Sequence, residues 1–283
     1  MIMPDIGGPI LFALLLWWAS TGAVLFLVGL PRTTFRWSMI GGTALAVVSF
    51  AGLLALRDMV TPWSAYLAFT CGLGLWAWHE MSFLFGFVTG PRRVSSAADA
   101  RGWRRFRHAL QTLLYHEIAI LVTTLALVAV LWDAANQTGL WAFLLLWIMR
   151  LSAKLNIFLG VPNMNEEFLP PHLGFLRSYF RKRAMNALFP VTVTLGTIGC
   201  IWLFGRGLAP ATSPFEAASC LILGVMLALA VLEHWFLVLP VPDAALWRWA
   251  MPSAKPSPVA PTAPAPTPMR RPARDLARRA ALF

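Results

Sequence analysis

Seven long apolar runs constrain this chain more than any other feature. They cover residues 9–30, 38–56, 64–88, 109–132, 138–160, 189–208 and 216–239. A helix rises about 1.5 Å per residue, so about 20 apolar residues cross the hydrocarbon core of a bilayer. The runs therefore predict an all-α fold, a polytopic integral membrane bundle of seven transmembrane helices. The second run is the weakest, because it is short and Gly41-Gly42 lies inside it. Composition agrees. The chain is 58% hydrophobic and 12% charged, where soluble domains are about 45–50% apolar and about 25% charged.

The loops carry the topology. Arg32 and Arg36 follow the first run, six arginines between Arg92 and Arg107 follow the third, and Arg177, Arg181, Lys182 and Arg183 follow the fifth. Arg248, Lys255 and five arginines from Arg270 to Arg279 follow the seventh. The intervening loops are neutral or acidic: Arg57 with Asp58, Asp133 alone, Arg206 with Glu216. Because basic loops stay on the cytoplasmic side, this alternation predicts the N-terminus outside and the C-terminus in the cytoplasm. The formal charge of +11 then reflects topology and attraction to anionic lipid. No nucleic-acid motif accompanies it. MIMPDIGG has no basic residue before its apolar run, so the first run is expected to stay as an anchor.

Residues 1–251 form the expected transmembrane domain, and 252–283 a Pro/Ala-rich, basic, disordered cytoplasmic tail. Within 161–188, Leu173, Leu176, Tyr179 and Phe180 stand among bases, which suggests a helix lying on the membrane surface. Asn165 would cap a turn containing Glu166 and Glu167. Cys71, Cys200 and Cys220 sit in apolar runs without metal or disulfide spacing, as small core residues do. Trp17, Trp18, Trp37, Trp63, Trp132, Trp141, Trp247 and Trp249 read as interface anchors or packing.

Three runs contain an adjacent His and Glu: His79-Glu80, His116-Glu117 and Glu233-His234. The fifth adds Arg150 and Lys154, one turn apart on one face, with Asn156 beyond. Counted from the cytoplasmic ends, these groups lie roughly 7–15 Å below that boundary. Ionisable groups at such depth usually face the bundle interior and pair. Three readings of this layer stay open. It is a structural ion-pair network, or a metal site in which imidazole and carboxylate hold iron or zinc, or a pigment site with a neutral His as axial ligand and Trp76 and Trp78 beside it. The Glu-x-x-His spacing of di-iron bundles is absent and two cations stand nearby, so iron is the weaker cofactor. No phosphate loop, nucleophile elbow, HExxH or nucleotide fingerprint occurs.

Four stretches carry a resemblance to a known family: GLPRTTFRWSM at 29–39, LAFTCGLGLWAWHEMSFLFGFVTGPRR at 67–93, ARGWRRFRHALQTLLYHEIAI at 100–120, and LWIMRLSAKLNIFLGVPNMNEEFLPPHLGFLRSYFRKRAMNALFP at 146–190. Over most of 9–240 the chain resembles the PuhE family, assembly proteins of the photosynthetic complex of purple photosynthetic bacteria. The tail lies outside the resemblance. It implies a multi-pass protein of the bacterial inner (intracytoplasmic) membrane that helps build the reaction centre and light-harvesting ring, or supplies them with bacteriochlorophyll or a precursor. The implied partners are photosynthetic complex subunits or other assembly factors. It brings no catalytic or ligand residue to this chain. The alternative is a membrane metalloenzyme of bacteriochlorophyll metabolism that uses the His/Glu layer. A transporter is a third reading, without a repeat or broken-helix pair to support it.

Overall fold

The computed structural model describes residues 3–97, 99–164, 169–241 and 243–251. The described residues belong to one compact unit. The expected tail at 252–283 and the expected turn at Asn165, Glu166 and Glu167 lie outside them.

Among the described residues the chain forms seven long α-helices and no strand. They are α1 (Met3–Gly29), α2 (Phe35–Leu56), α3 (Pro62–Leu84), α4 (Gly102–Leu131), α5 (Thr138–Leu159), α6 (Leu188–Gly207) and α7 (Pro214–Phe236). Six of them, all but α3, are long and apolar enough to cross a membrane. The weak second run is among the six. The outer surface is apolar too, with Val48, Leu195, Ile201 and Trp202 all largely exposed. A soluble surface would not carry such a continuous apolar coat. The protein is a multi-pass membrane protein.

α3 differs for a physical reason. Thirteen of its 23 residues are buried, against four of 22 in α2. It packs against α1, α2, α4, α5 and α7, so protein rather than lipid surrounds it and polar side chains are tolerated. Glycine makes this closeness possible. A Cβ on Gly72 would stand 2.6 Å from the Gly139 carbonyl of α5, and one on Gly139 would stand 2.6 Å from the Ala68 carbonyl. Small residues are how helices approach in the absence of water. One core cluster gathers Trp17, Phe69, Leu73, Ile222 and Met226. Another gathers Leu75, Trp76, Ile120, Leu127 and Phe143.

Local chemistry sets the helix ends. Thr61 and Ser64 exchange side-chain-to-backbone hydrogen bonds, and Pro62 opens α3. Ser213 and Pro214 open α7, with Ser213 Oγ accepting from the Glu216 N–H. α6 is started by Asn186, whose Oδ1 accepts from the Leu188 and Phe189 N–H groups. Its amide donates back to the Asn156 and Gly160 carbonyls that end α5.

Contacts between loops sort the two ends of the bundle. The α3–α4 loop meets the α5–α6 segment, where Arg92 Nε donates to the Tyr179 hydroxyl at 2.7 Å. At the other end the Asn136 N–H donates to the Arg57 carbonyl at 2.8 Å. The strongly basic loops thus share one end and the near-neutral loops the other. Residues Pro171–Tyr179 form a 3-10 helix. Leu173 and Leu176 are buried against Phe83 and Leu84. The segment expected to lie on the membrane surface thus turns these leucines onto the bundle. Trp17 and Trp247 are buried with ring centroids 5.3 Å apart, while Trp37, Trp63 and Trp132 are exposed near helix ends.

Candidate functional site

The eight ionisable residues expected in one layer separate into three groups. In the first, acids meet bases. Lys154 Nζ of α5 donates to Glu117 Oε1 of α4 at 2.8 Å, and Trp147 Nε1 donates to Glu117 Oε2 at 3.0 Å. Both carboxylate oxygens are thereby engaged by α5. Lys154 Nζ also stands 5.7 Å from the Phe83 ring centre. Arg150 Nη2 donates to Glu80 Oε2 of α3 at 3.2 Å, and Glu233 of α7 is within electrostatic reach of Arg150. Arg150 thus joins three helices. The one-turn spacing of Arg150 and Lys154 does put both toward acids, but on different helices.

The second group is His79 and His116, both buried, with ring centres 6.4 Å apart. His79 Nε2 lies 3.0 Å from Thr123 Oγ1. Its Nδ1 and both ring nitrogens of His116 are buried without a hydrogen-bond partner. An unpaired buried polar atom costs free energy comparable to a lost hydrogen bond, so His116 is the least satisfied side chain of the layer. Its ring packs 4.7 Å from that of Phe83.

The third group is separate. His234 Nδ1 donates to the Ala230 carbonyl at 2.7 Å, which leaves Nε2 to accept from Ser152 Oγ at 3.1 Å. Ser152 Oγ is also 3.0 Å from Thr192 Oγ1, and Asn156 Nδ2 donates to the Ser152 carbonyl. His234 is thus a satisfied core histidine that ties α7 to α5 and α6.

The arrangement bears on the three readings. Among the described residues no three His, Cys, Asp or Glu side chains gather as metal ligands do. The donor chemistry explains this, since Glu80 and Glu117 turn to cations. A resident macrocycle does not fit either. His116 has free nitrogens, but it is 0% exposed and packed on Phe83 and His79, which leaves no open face for a porphyrin plane. Glu80–Arg150 and Glu117–Lys154 are the ion pairs that the structure shows in the layer.

Thr123, Trp147, Ser152, Thr192 and Asn186 belong to these networks and escape a search for charges. Their signal is polarity inside a span, since Ser, Thr and Asn there tend to bond across helices.

The fold and this layer define a class: multi-pass helical membrane proteins with charged pairs and buried imidazoles inside the bundle. The chain belongs to the family described as "Protein of unknown function (DUF3623)", whose model matches residues 3–257. It is similar to a protein of Rhodobacter capsulatus described as "Uncharacterized 30.4 kDa protein in puhA 5'region", with 38% identity over 251 residues, 87% of this chain and 90% of that protein. No solved structure matches the chain.

Proposed function

We infer that this protein is a non-enzymatic membrane factor in the assembly of the bacterial photosynthetic reaction centre and light-harvesting complex, acting by contact with their subunits. The observation that carries the reading is the relative from a puhA region, which is similar over nearly the whole of both chains and points to a photosynthesis-related role. The layer supports the non-enzymatic side of the reading. Two of its three carboxylates, Glu117 and Glu80, are held by Lys154 and Arg150, which suits a rigid bundle better than a reactive centre. The bundle would sit in the inner (intracytoplasmic) membrane with seven spans, its N-terminus outside and its basic loops in the cytoplasm.

The test is the near-infrared absorption of membranes from a strain lacking the protein, beside its parent. The antenna and reaction-centre bands are expected to fall while other membrane components stay normal. Accumulation of a bacteriochlorophyll precursor would instead favour an enzyme of pigment metabolism. Matching spectra under photosynthetic growth would remove the assembly role.

A further inference from the structure

The α3–α4 loop forms a wall of a cleft of about 330 Å³ lined by Pro91, Arg92, Arg93, Val94 and Gln111. That wall is fixed by several bonds. The Arg92 N–H donates to the Gln111 carbonyl at 3.2 Å, and the Thr89 carbonyl accepts from the His116 N–H at 3.0 Å. Gly90 lies so close to α4 that a Cβ on it would come within 2.1 Å of the Gln111 carbonyl. The Tyr179 hydroxyl accepts from Arg92 Nε at 2.7 Å and donates to the Val94 carbonyl at 3.0 Å. Arg92 Nη2 donates to the Ser95 carbonyl at 3.3 Å. A guanidinium has about five N–H donors, so most of those of Arg92 remain for a ligand.

The charge around the cleft is unbalanced. His108 is within electrostatic reach of Arg92, Arg104 and Arg107, and its Nδ1 is buried without a partner. The nearby carboxylate, Asp99, is held by Arg104 at 2.5 Å. Among the described residues neither Arg93 nor Arg107 meets an acid. Behind them Arg105 lies within electrostatic reach of Arg181 and Arg183. Two arginines lining one cleft favour an anion that both share.

The exposed apolar face of α4 beside the cleft selects the anion. Trp103, 72% exposed, stacks on Phe106 with ring centres 5.1 Å apart. The next turns of α4 expose Leu110, Ile118 and Val122. Exposed Trp followed by exposed aliphatics marks the passage from headgroups to acyl chains. A soluble anion would use the arginines and ignore the apolar face.

We propose that this cleft binds one anionic phospholipid, its phosphodiester against Arg92 and Arg93, with Arg107 one helical turn from Gln111 on the same face of α4 and the acyl chains along the exposed apolar residues of that helix. The site is independent of the photosynthetic role.

Native mass spectrometry of the full-length protein in detergent tests it, with phosphatidylglycerol, phosphatidylcholine and inorganic phosphate as probes. One phosphatidylglycerol per chain is expected to survive activation that strips phosphatidylcholine, and inorganic phosphate should not displace it. Arg93→Gln and Arg107→Gln should each weaken retention about fivefold, and about 25-fold together. Equal retention of the two lipids overturns the proposal. So does wild-type retention by the folded double variant, or displacement of phosphatidylglycerol by inorganic phosphate. The comparison of lipids on the unaltered chain decides the matter even if a variant fails to fold.

Discussion

Lys154 and Glu117 form a salt bridge enclosed within the bundle, 2.8 Å apart with side chains only 20% and 13% exposed. Removing one partner of such a pair strands the other charge, at a cost of about 3–5 kcal/mol. Lys154→Met is therefore expected to lower the thermal unfolding temperature sharply in detergent. The double variant Lys154→Met/Glu117→Gln should recover much of the loss, because no charge is stranded. Additive losses in that cycle would mean that the pair is not coupled. His172, outside the spans, offers a pH probe. Burial, together with the nearby Arg32, pushes its pKa below the usual imidazole range, against a hydrogen bond from Nε2 to the Leu84 carbonyl that pushes it up. The folded state thus binds its proton less readily than the unfolded chain does. The stabilisation is complete above the unfolded value of about 6.5 and declines as pH falls from there through the folded value. Unfolding followed from pH 7.5 to 5 should show this slope, and His172→Gln should flatten it. An unchanged slope would assign the pH dependence to other groups.

At the scale of the element, α3 holds the bundle together through its glycine contact with α5. A methyl group at Gly72 has nowhere to go, because the atom it would meet is the backbone carbonyl of Gly139. Gly72→Ala is expected to destabilise by about 1–3 kcal/mol, as overpacking does. Gly41→Ala, whose Cβ would meet nothing within 4 Å, should be neutral or stabilising. Equal effects of the two on unfolding temperature would contradict this account. The positions of all seven helices were legible in the apolar runs, because lipid demands length and apolarity together. The weak helix was misplaced: Gly41-Gly42 pointed to the second run, yet α2 is long and apolar enough to cross and α3 is the helix outside the six. That a helix is polar because it is surrounded by others is a fact of packing. The pairing of Glu117 with Lys154 was likewise hidden. Spacing along α5 puts Arg150 and Lys154 on one face, but which acid each meets depends on how α3 and α4 are rotated about their axes.

For the molecule as a whole, charge and topology agree in a way that can be measured. The loops rich in arginine meet at one end of the bundle, and Asn136 meets Arg57 at the other. Reporter fusions placed after Arg183 should be active only as cytoplasmic fusions, and those placed after Asp133 only as external ones. The reverse pattern would invert the topology while leaving the fold intact. Fusions after Arg57 and after Arg107 then decide whether α3 crosses, since they must fall on opposite sides if it does.

The partnership of Glu80 with Arg150 also bears on how the protein is made. The two residues are 70 positions apart, and synthesis proceeds at about 5–20 residues per second, so Arg150 is made about 4–14 s after Glu80. During that interval the nascent α3 carries a carboxylate without its counter-charge, in a helix poorly suited to face lipid alone. The insertion machinery must therefore shelter α3, or leave it near the water boundary, until α5 is made.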